Sequence, residues 1–317
     1  MKSESNSNLI TAVANSYYNN NLTQSEIAQR YNISRPKVSR LLAEAKETGI
    51  VKIFINNKAD ITNQAEDTLL KRFGLQAVKV VPVPDNDSYL ALQITAQEAA
   101  AFFSQFLVPT DRIGISWGYT LYTLAKYFPS LSMTDCFVYQ LTGSVDDTST
   151  KSRASQIVDL MGQKLHTEKA FSLPCPAMLD NSIILDMLLH DKKLKSQLDS
   201  INSCTKFIVN LASADKNCCL YKAGYINDDD LTLLEEKGSV GSICCRFIDK
   251  NGDICDDGIN NRTISLSLDT LKRCPSVFCC IANKEKVPAL CASLKAGYID
   301  ILAIDSVSAE ALINYSE

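Results

Sequence analysis

Six short apolar runs limit what this chain can fold into: Val78–Val83 (VKVVPV), Arg112–Trp117 (RIGISW), Cys136–Leu141 (CFVYQL), Lys206–Leu211 (KFIVNL), Val277–Ile281 (VFCCI) and Asp300–Ile304 (DILAI). Segments with helical spacing alternate with them, at Ala91–Leu107, Thr120–Tyr127, Ser152–Leu165, Asn181–His190 and Lys192–Ile201. Runs without polar alternation predict strands covered on both faces, and their interruption by helices predicts a parallel, Rossmann-like α/β sheet. Of 317 residues 46% are hydrophobic and 21% charged, which supplies a sizeable core and excludes disorder over most of the length. No run of about 18 uncharged apolar residues occurs, so no membrane contact through a spanning helix is expected. The polar start Met1–Asn6 lacks the apolar centre of a secretory signal, which makes the cytoplasm the expected location.

Charge divides the chain. Residues 1–58 carry eight Lys and Arg against four Glu, whereas the remainder carries 24 basic and 32 acidic residues. A small basic head on an acidic body fits a polyanion-binding module.

The head reads as three helices. Leu9–Tyr18 places Ile10, Val13, Ala14 and Tyr17 on one face, and Asn19-Asn20-Asn21 ends it. Thr23-Gln24-Ser25-Glu26 is a capping box that opens a short helix, Gln24–Tyr31, with Ile27, Ala28 and Tyr31 inward. After a turn at Asn32-Ile33, Ser34 caps a third helix with Pro36 in its first turn and Val38, Leu41, Leu42 and Ala45 buried. Gly49 terminates it, and Ile50–Asn56 reads as a strand. A short helix, a tight turn and a second helix with a basic start is helix-turn-helix geometry, whose second helix enters the major groove. The DNA-facing candidates are Thr23, Gln24, Ser34, Arg35, Lys37, Ser39 and Arg40. A plain three-helix bundle or a protein-docking module would share the pattern.

Twelve cysteines include the adjacent pairs Cys218-Cys219, Cys244-Cys245 and Cys279-Cys280, and no C-x-x-C spacing occurs. Neither a zinc framework nor a disulfide framework is expected, and a pair within a strand points at most one thiol inward. No metal and no cofactor is implied.

Ligands of parallel sheets bind beyond the carboxyl ends of the strands. Gly114–Leu121 joins a strand to a helix through Gly118, where backbone amides with the Ser116 and Thr120 hydroxyls suit a phosphate. Leu141-Thr142-Gly143-Ser144 is a second such corner, and Arg262 and Lys286 are candidate anion-facing cations, although each alone also fits a solvated surface residue. Walker and G-x-G-x-x-G loops are missing, and neither His166 nor His190 sits in a nucleophile constellation.

The stretch LTQSEIAQRYNISRPKVSRLLAEAKETGIVKIFIN resembles the DNA-binding domain of SorC-type sugar-responsive transcriptional regulators. GISWGYTL, LTGSV, FSLPCP, GSVGSICCRFIDKNGDIC, INNRTISL and VPALCASLKAGYIDILAIDSVSAEALI follow in the order of that family's effector domain, so the resemblance covers nearly the whole chain. Those domains are similar in fold to glucosamine-6-phosphate deaminase and ribose-5-phosphate isomerase. The RFIDKNGDIC and INNRTI blocks most resemble the deoxyribonucleoside-regulator branch.

By that resemblance Gly118, Thr120 and Leu121 belong to a phosphate loop, Gly143 and Ser144 to a neighbouring ligand loop, and Arg262 and Lys286 face the effector phosphate. Asp253 and Asp305 become sugar-hydroxyl acceptors. Two departures stand out: Ala282-Asn283-Lys284-Glu285-Lys286 replaces paired glycines before the lysine, and Thr142 offers no amine for an imine. The resemblance implies a DNA-binding regulator of a carbohydrate or nucleoside operon, repressor or activator, controlled by a phosphorylated sugar and acting as a homodimer or homotetramer on operator DNA. The alternative is a sugar-phosphate isomerase or deaminase with an appended DNA-binding domain. The expected division is 1–57 for DNA binding, 58–74 for a linker helix, and 75–317 for effector binding and oligomerisation.

Overall fold

A computed structural model describes the chain apart from Met1, Asn21, Gly49, residues 52–58, Asn86, residues 146–153 and Glu317. The expected terminator Gly49, most of the strand expected over Ile50–Asn56, and the expected helix start at Ser152 lie outside the described residues. Two compact units are present, residues 1–57 and 58–317.

The first unit holds helices α1 (Lys2–Tyr18), α2 (Gln24–Arg30) and α3 (Arg35–Glu47). Ile10, Val13 and Ala14 of α1, Ile27 of α2, and Val38, Leu41, Leu42 and Ala45 of α3 form its core. The turn between α2 and α3 passes through Asn32 at φ 51°, a left-handed conformation that asparagine tolerates. The Tyr31 hydroxyl lies 2.9 Å from Ser16 Oγ and donates to the Ala12 carbonyl at 3.2 Å, tying that turn to α1.

The second unit begins with α4 (Ala59–Phe73), followed by β1 (Ala77–Val81), α5 (Ser88–Ser104), β2 (Arg112–Ile115), α6 (Tyr119–Tyr127), β3 (Phe137–Gln140), α7 (Ala154–Leu165) and β4 (Ala170–Phe171). Next come α8 (Ser182–Leu189), α9 (Lys192–Ile201), β5 (Lys206–Val209), β6 (Leu211–Ala212), α10 (Cys219–Lys222), α11 (Asp228–Glu236), β7 (Ser239–Ile243) and β8 (Arg246–Asp249). The chain closes with α12 (Asp257–Asn260), α13 (Leu268–Arg273), β9 (Val277–Ile281), α14 (Val287–Lys295), β10 (Ile301–Asp305) and α15 (Ser306–Ile313). No helix among the described residues is long and apolar enough to cross a membrane.

Seven parallel strands form the main sheet in the order β1-β10-β9-β5-β2-β3-β4. One face packs on α5, α6 and α7 through Phe103, Leu121, Leu124 and Ile157. The other packs on α4, α14 and α15 through Leu69, Leu290 and Leu312. Because both faces are covered, the expectation that a Cys-Cys pair places at most one thiol inward fails in β9. Cys279 joins one core and Cys280 the other, and both are fully buried. The remaining pairs are not in strands at all. None of the twelve thiols is exposed or disulfide-bonded.

The expected linker helix is part of the second unit. Leu69 is buried, the Glu66 carboxylate accepts the Val80 amide at 2.8 Å, and Arg72 donates to the carbonyls of Leu312 and Ile313 at 3.1 and 2.9 Å. A second sheet, antiparallel and three-stranded (β6-β7-β8), was not expected; of its residues only Leu211 falls within an expected strand, Lys206–Leu211.

Candidate functional site: a basic recognition helix and a crevice at the strand ends

In the first unit the capping box forms as expected. Glu26 N donates to Thr23 Oγ1 at 3.3 Å, and Thr23 N donates to Glu26 Oε2 at 2.7 Å, which holds the Glu26 carboxyl below its ordinary range. Ser34 occupies the N-cap position of α3, but its side chain makes no capping hydrogen bond. Arg35, Lys37, Ser39 and Arg40 are all exposed, as are Ser34 and Thr23, because the opposite stripe of α3 supplies the core. Thr23, Gln24 and Arg35 line one open groove with Tyr17, Tyr18 and Ser25. Among the described residues none forms a salt bridge with Arg35, Lys37 or Arg40. A helix start carrying three exposed cations matches phosphate and guanine edges.

In the second unit, β2 leads to β3 on one side while β5 returns on its other side. The β2/β5 boundary is therefore a switch point of the sheet, where a crevice opens at the carboxyl ends. Ser116 directly follows β2 and Asn210 directly follows β5. Gly118 caps α6 with φ 132° and no side-chain hydrogen bond, and a Cβ there would stand 2.5 Å from Asn210 Nδ2. Lys286, just before α14, donates from Nζ to Asn210 Oδ1 at 3.0 Å. Asn210 thus joins the lysine to the glycine corner. Burial pulls the Lys286 ammonium pKa down, the thiols of Cys279, Cys280 and Cys219 opposing it.

Gly118 has no side chain with which to satisfy the first-turn amides of α6, so those of Thr120 and Leu121 point outward along the helix axis. The Leu121 side chain is fully buried and that of Thr120 nearly so; what Leu121 can offer a ligand is its amide. A cavity of about 40 Å³ lies between Ser116, Trp117, Asn210, Cys219, Ser242 and Cys245. Its wall includes the β7–β8 hairpin, whose two-residue turn sets Cys244 at φ 49° and Cys245 at φ 65°. Such type I′ positions favour asparagine and glycine. Burial pushes the Cys244 thiol up to about 12, a hydrogen bond with Ser116 opposing it.

The Gly143-Ser144 corner is tied into the protein. Gly143 donates its amide to Ile264 O at 2.8 Å and accepts Trp117 Nε1 at 2.7 Å, while Ser144 donates its amide to Cys175 O at 2.7 Å. A Cβ on Gly143 would fall 2.0 Å from the Pro176 carbonyl oxygen, so glycine is a steric requirement there. Neither backbone amide points to a ligand, which leaves the Ser144 hydroxyl, already accepting from Gln140 Nε2 at 3.0 Å. Beside them the Thr142 hydroxyl is buried without a partner, the one such side-chain atom among the described residues.

Three other expected residues are placed differently. Arg262 donates to Asp230 Oδ1 at 2.9 Å and to Tyr225 O at 3.3 Å, so its charge is neutralised within the protein. Asp305 caps α15, accepting Ser308 N at 2.8 Å and Ser308 Oγ at 2.5 Å, and burial raises its pKa. Asp253 is exposed in a turn whose Gly252 carbonyl accepts the Tyr298 hydroxyl at 2.9 Å. Tyr298 follows the far end of α14, so Asp253 sits about 13 Å of helix away from Lys286. Ser116, Gly118, Thr120, Leu121 and Lys286 come together, and Asn210 is the member not expected from sequence.

Comparison with known proteins agrees with both units. Residues 58–314 match the Sugar-bind family of sugar-binding domains, and residues 17–52 match a winged helix-turn-helix DNA-binding family. The deoxyribonucleoside regulator of Bacillus subtilis is 29% identical over 298 residues, covering 94% of this chain and 95% of that protein. The sorbitol operon regulator of Klebsiella pneumoniae is 27% identical over 321 residues, covering 99% and 100%. The full-length crystal structure of that sorbitol regulator superposes with a TM-score of 0.76 at 26% identity, covering 97% of this chain and 98% of its own. A DeoR-family transcriptional regulator from Listeria monocytogenes superposes with a TM-score of 0.74 at 30% identity over 80% of this chain and all of its own. These relatives are transcriptional regulators, not enzymes.

Proposed function

Since this chain belongs to the SorC-type family of transcriptional regulators with a sugar-binding domain, we propose that it controls a carbohydrate or nucleoside catabolic operon in response to a phosphorylated sugar. The observation that carries this reading is the link from Lys286 through Asn210 to Gly118, which sets one cation beside the open start of α6. A dianion there meets an ammonium and unsatisfied helix amides together, the combination that favours phosphate over a neutral sugar. Thr120 and Leu121 donate amides, Lys286 supplies charge, and the hydroxyls of Ser116, Thr142 and Ser144 serve the sugar. A cavity of about 40 Å³ has the scale of a bound water or two, so a sugar requires the crevice to widen.

In this reading residues 1–57 bind operator DNA with the start of α3 in the major groove. Residues 58–74 begin the effector domain, and residues 75–317 carry the ligand crevice and the contacts between copies. A sugar phosphate that prefers one arrangement of paired copies changes DNA affinity by its differential affinity, commonly about 1–3 kcal/mol. Paired recognition helices then meet half-sites roughly 34 Å apart.

Thermal unfolding tests the ligand class. Ribose-5-phosphate, deoxyribose-5-phosphate and hexose phosphates are compared with the same sugars unphosphorylated. A true effector at 100 times its dissociation constant stabilises by about 2.7 kcal/mol. Shifts with free sugars alone, or with none of the compounds, would remove phosphate from the proposal.

A further inference from the structure

Four of the twelve cysteines meet at one place. Cys218 and Cys219 at the start of α10, and Cys244 and Cys245 in the β7–β8 turn, all line the small cavity at the carboxyl ends of β2 and β5. Burial raises the Cys245 thiol well above its ordinary range, and Cys244, Cys219 and Cys218 raise it further, so the four share one electrostatic neighbourhood. Among the described residues no group of three or more His, Cys, Asp or Glu is arranged to hold a metal ion.

Two of the four thiols are already engaged. Cys218 Sγ accepts the Tyr221 amide at 3.4 Å and caps α10, and Cys244 shares a hydrogen bond with Ser116. Both residues are buried. Cys219 and Cys245 are half-buried, so a small solute can reach them. Cys175, Cys255 and Cys274 are half-buried too, but none of them lines this cavity. Burial also raises the Cys219 pKa, but Lys286 and Lys222 oppose it, whereas around Cys245 three thiols add to the rise against Arg246 alone. Cys219 is thus the more readily ionised of the pair, and the thiolate is the form that attacks an oxidant. The turn that carries Cys245 is held in place. Ser265 Oγ donates to the Cys244 carbonyl at 2.7 Å, and Arg246 donates to the carbonyls of Leu266 and Ser265 at 2.6 and 2.7 Å.

We infer that Cys219 and Cys245 are a peroxide-sensitive dithiol that closes the crevice by forming a disulfide across it. The Cys219 thiolate attacks one peroxide oxygen, the O–O bond breaks, and the departing hydroxide takes up the thiol proton as water. Cys245 Sγ then attacks the sulfenic acid; the S–O bond breaks, the S–S bond forms and a second water leaves. Two thiols lose two electrons and two protons, and hydrogen peroxide becomes two waters. The bond joins α10 to the held turn. On the reading that a sugar phosphate binds in this crevice, which has to widen to admit it, oxidation excludes the ligand. Exchange with a small dithiol reduces the bond and reopens the site.

Non-reducing peptide mass spectrometry of the full natural chain after treatment with hydrogen peroxide tests the bond without any ligand. A linked Cys219–Cys245 peptide pair is expected, with an intact mass lower by about 2 Da that dithiothreitol restores. Cys219→Ser and Cys245→Ser should each remove that link, whereas Cys218→Ala and Cys244→Ala should keep it. Titration with ribose-5-phosphate, deoxyribose-5-phosphate and hexose phosphates, before and after peroxide, reads the consequence. Oxidation should weaken binding to the natural chain at least about tenfold, because the closed form is not competent to bind. Dithiothreitol should reverse the loss, and peroxide should leave the affinity of the two serine variants where it was. No link in the natural chain, a link confined to other cysteines, or a gain of about 32 Da at Cys219 without a link overturns the inference. So does a linked natural chain that binds sugar phosphate as tightly as the reduced one. A reduced chain that binds none of these phosphates removes the effector reading alone, and the peptide map still decides the bond.

Discussion

Lys286 Nζ donates to Asn210 Oδ1 across the ends of β9 and β5, while the other end of the same amide lies against Gly118. One neutral side chain thereby fixes a cation relative to a helix start. Asn210→Ala is expected to leave the fold intact and to weaken sugar-phosphate binding about tenfold, since the lysine loses its orienting acceptor. Isothermal titration of the variant measures this.

Burial sets the pH behaviour of the same site. The Lys286 pKa lies below its ordinary 10.5, so between the depressed value and 10.5 the native state holds fewer protons than the unfolded chain. Stability should rise with pH across that window, and below it the cost of the buried charge is fully present. Anion binding should do the opposite, falling as pH climbs through the depressed pKa. Lys286→Met is expected to unfold at a higher temperature than the natural protein at pH 7 and to show no thermal shift with a sugar phosphate.

Gly118 adopts a backbone conformation that a side chain disfavours, and a Cβ there would press on Asn210. Gly118→Ala should destabilise by about 1–3 kcal/mol. Differential scanning calorimetry reads this as about 2–4 °C per kcal/mol for a unit of this size.

Arg262 shows where local sequence stops being informative. Nothing beside it reveals that Asp230, 32 residues earlier, takes its guanidinium. Arg262→Ala should lower stability by about 1–3 kcal/mol, with Asp230→Ala close to it in size, and should change an effector titration little. A large loss of effector affinity with unchanged stability would return Arg262 to the ligand site.

At the other end of the chain, Arg35→Ala or Arg40→Ala should reduce operator affinity about tenfold and lower the salt dependence by about one counterion, with unfolding unaltered. Fluorescence anisotropy over a salt series gives both values. Equal affinity for both variants would place another surface in the groove.

Six strands of the main sheet were legible because they are continuous apolar runs, while the two-residue β4 was not, and the first unit was legible because Thr23 and Glu26 announce a helix start in four residues. The β6-β7-β8 sheet was not. Its strands are short, the central one, Ser239–Ile243, is rich in glycine and serine, and its turn uses cysteines where asparagine and glycine are the usual signal. Asn210 was hidden inside an apolar run, read as one strand from Lys206 to Leu211. The structure breaks that run at the polar residue and turns its side chain to the crevice. Asp253 and Asp305 carry the right chemistry for sugar hydroxyls, but a turn removes the first to the far end of α14 and a helix cap engages the second.

Both margins of the seven-stranded sheet are closed to further strands. On one side the Glu66 carboxylate takes the outward Val80 amide beneath α4, and on the other β4 is only two residues long. Fibre growth by adding strand to strand, the ordinary hazard of an open sheet, thus has no template at either border.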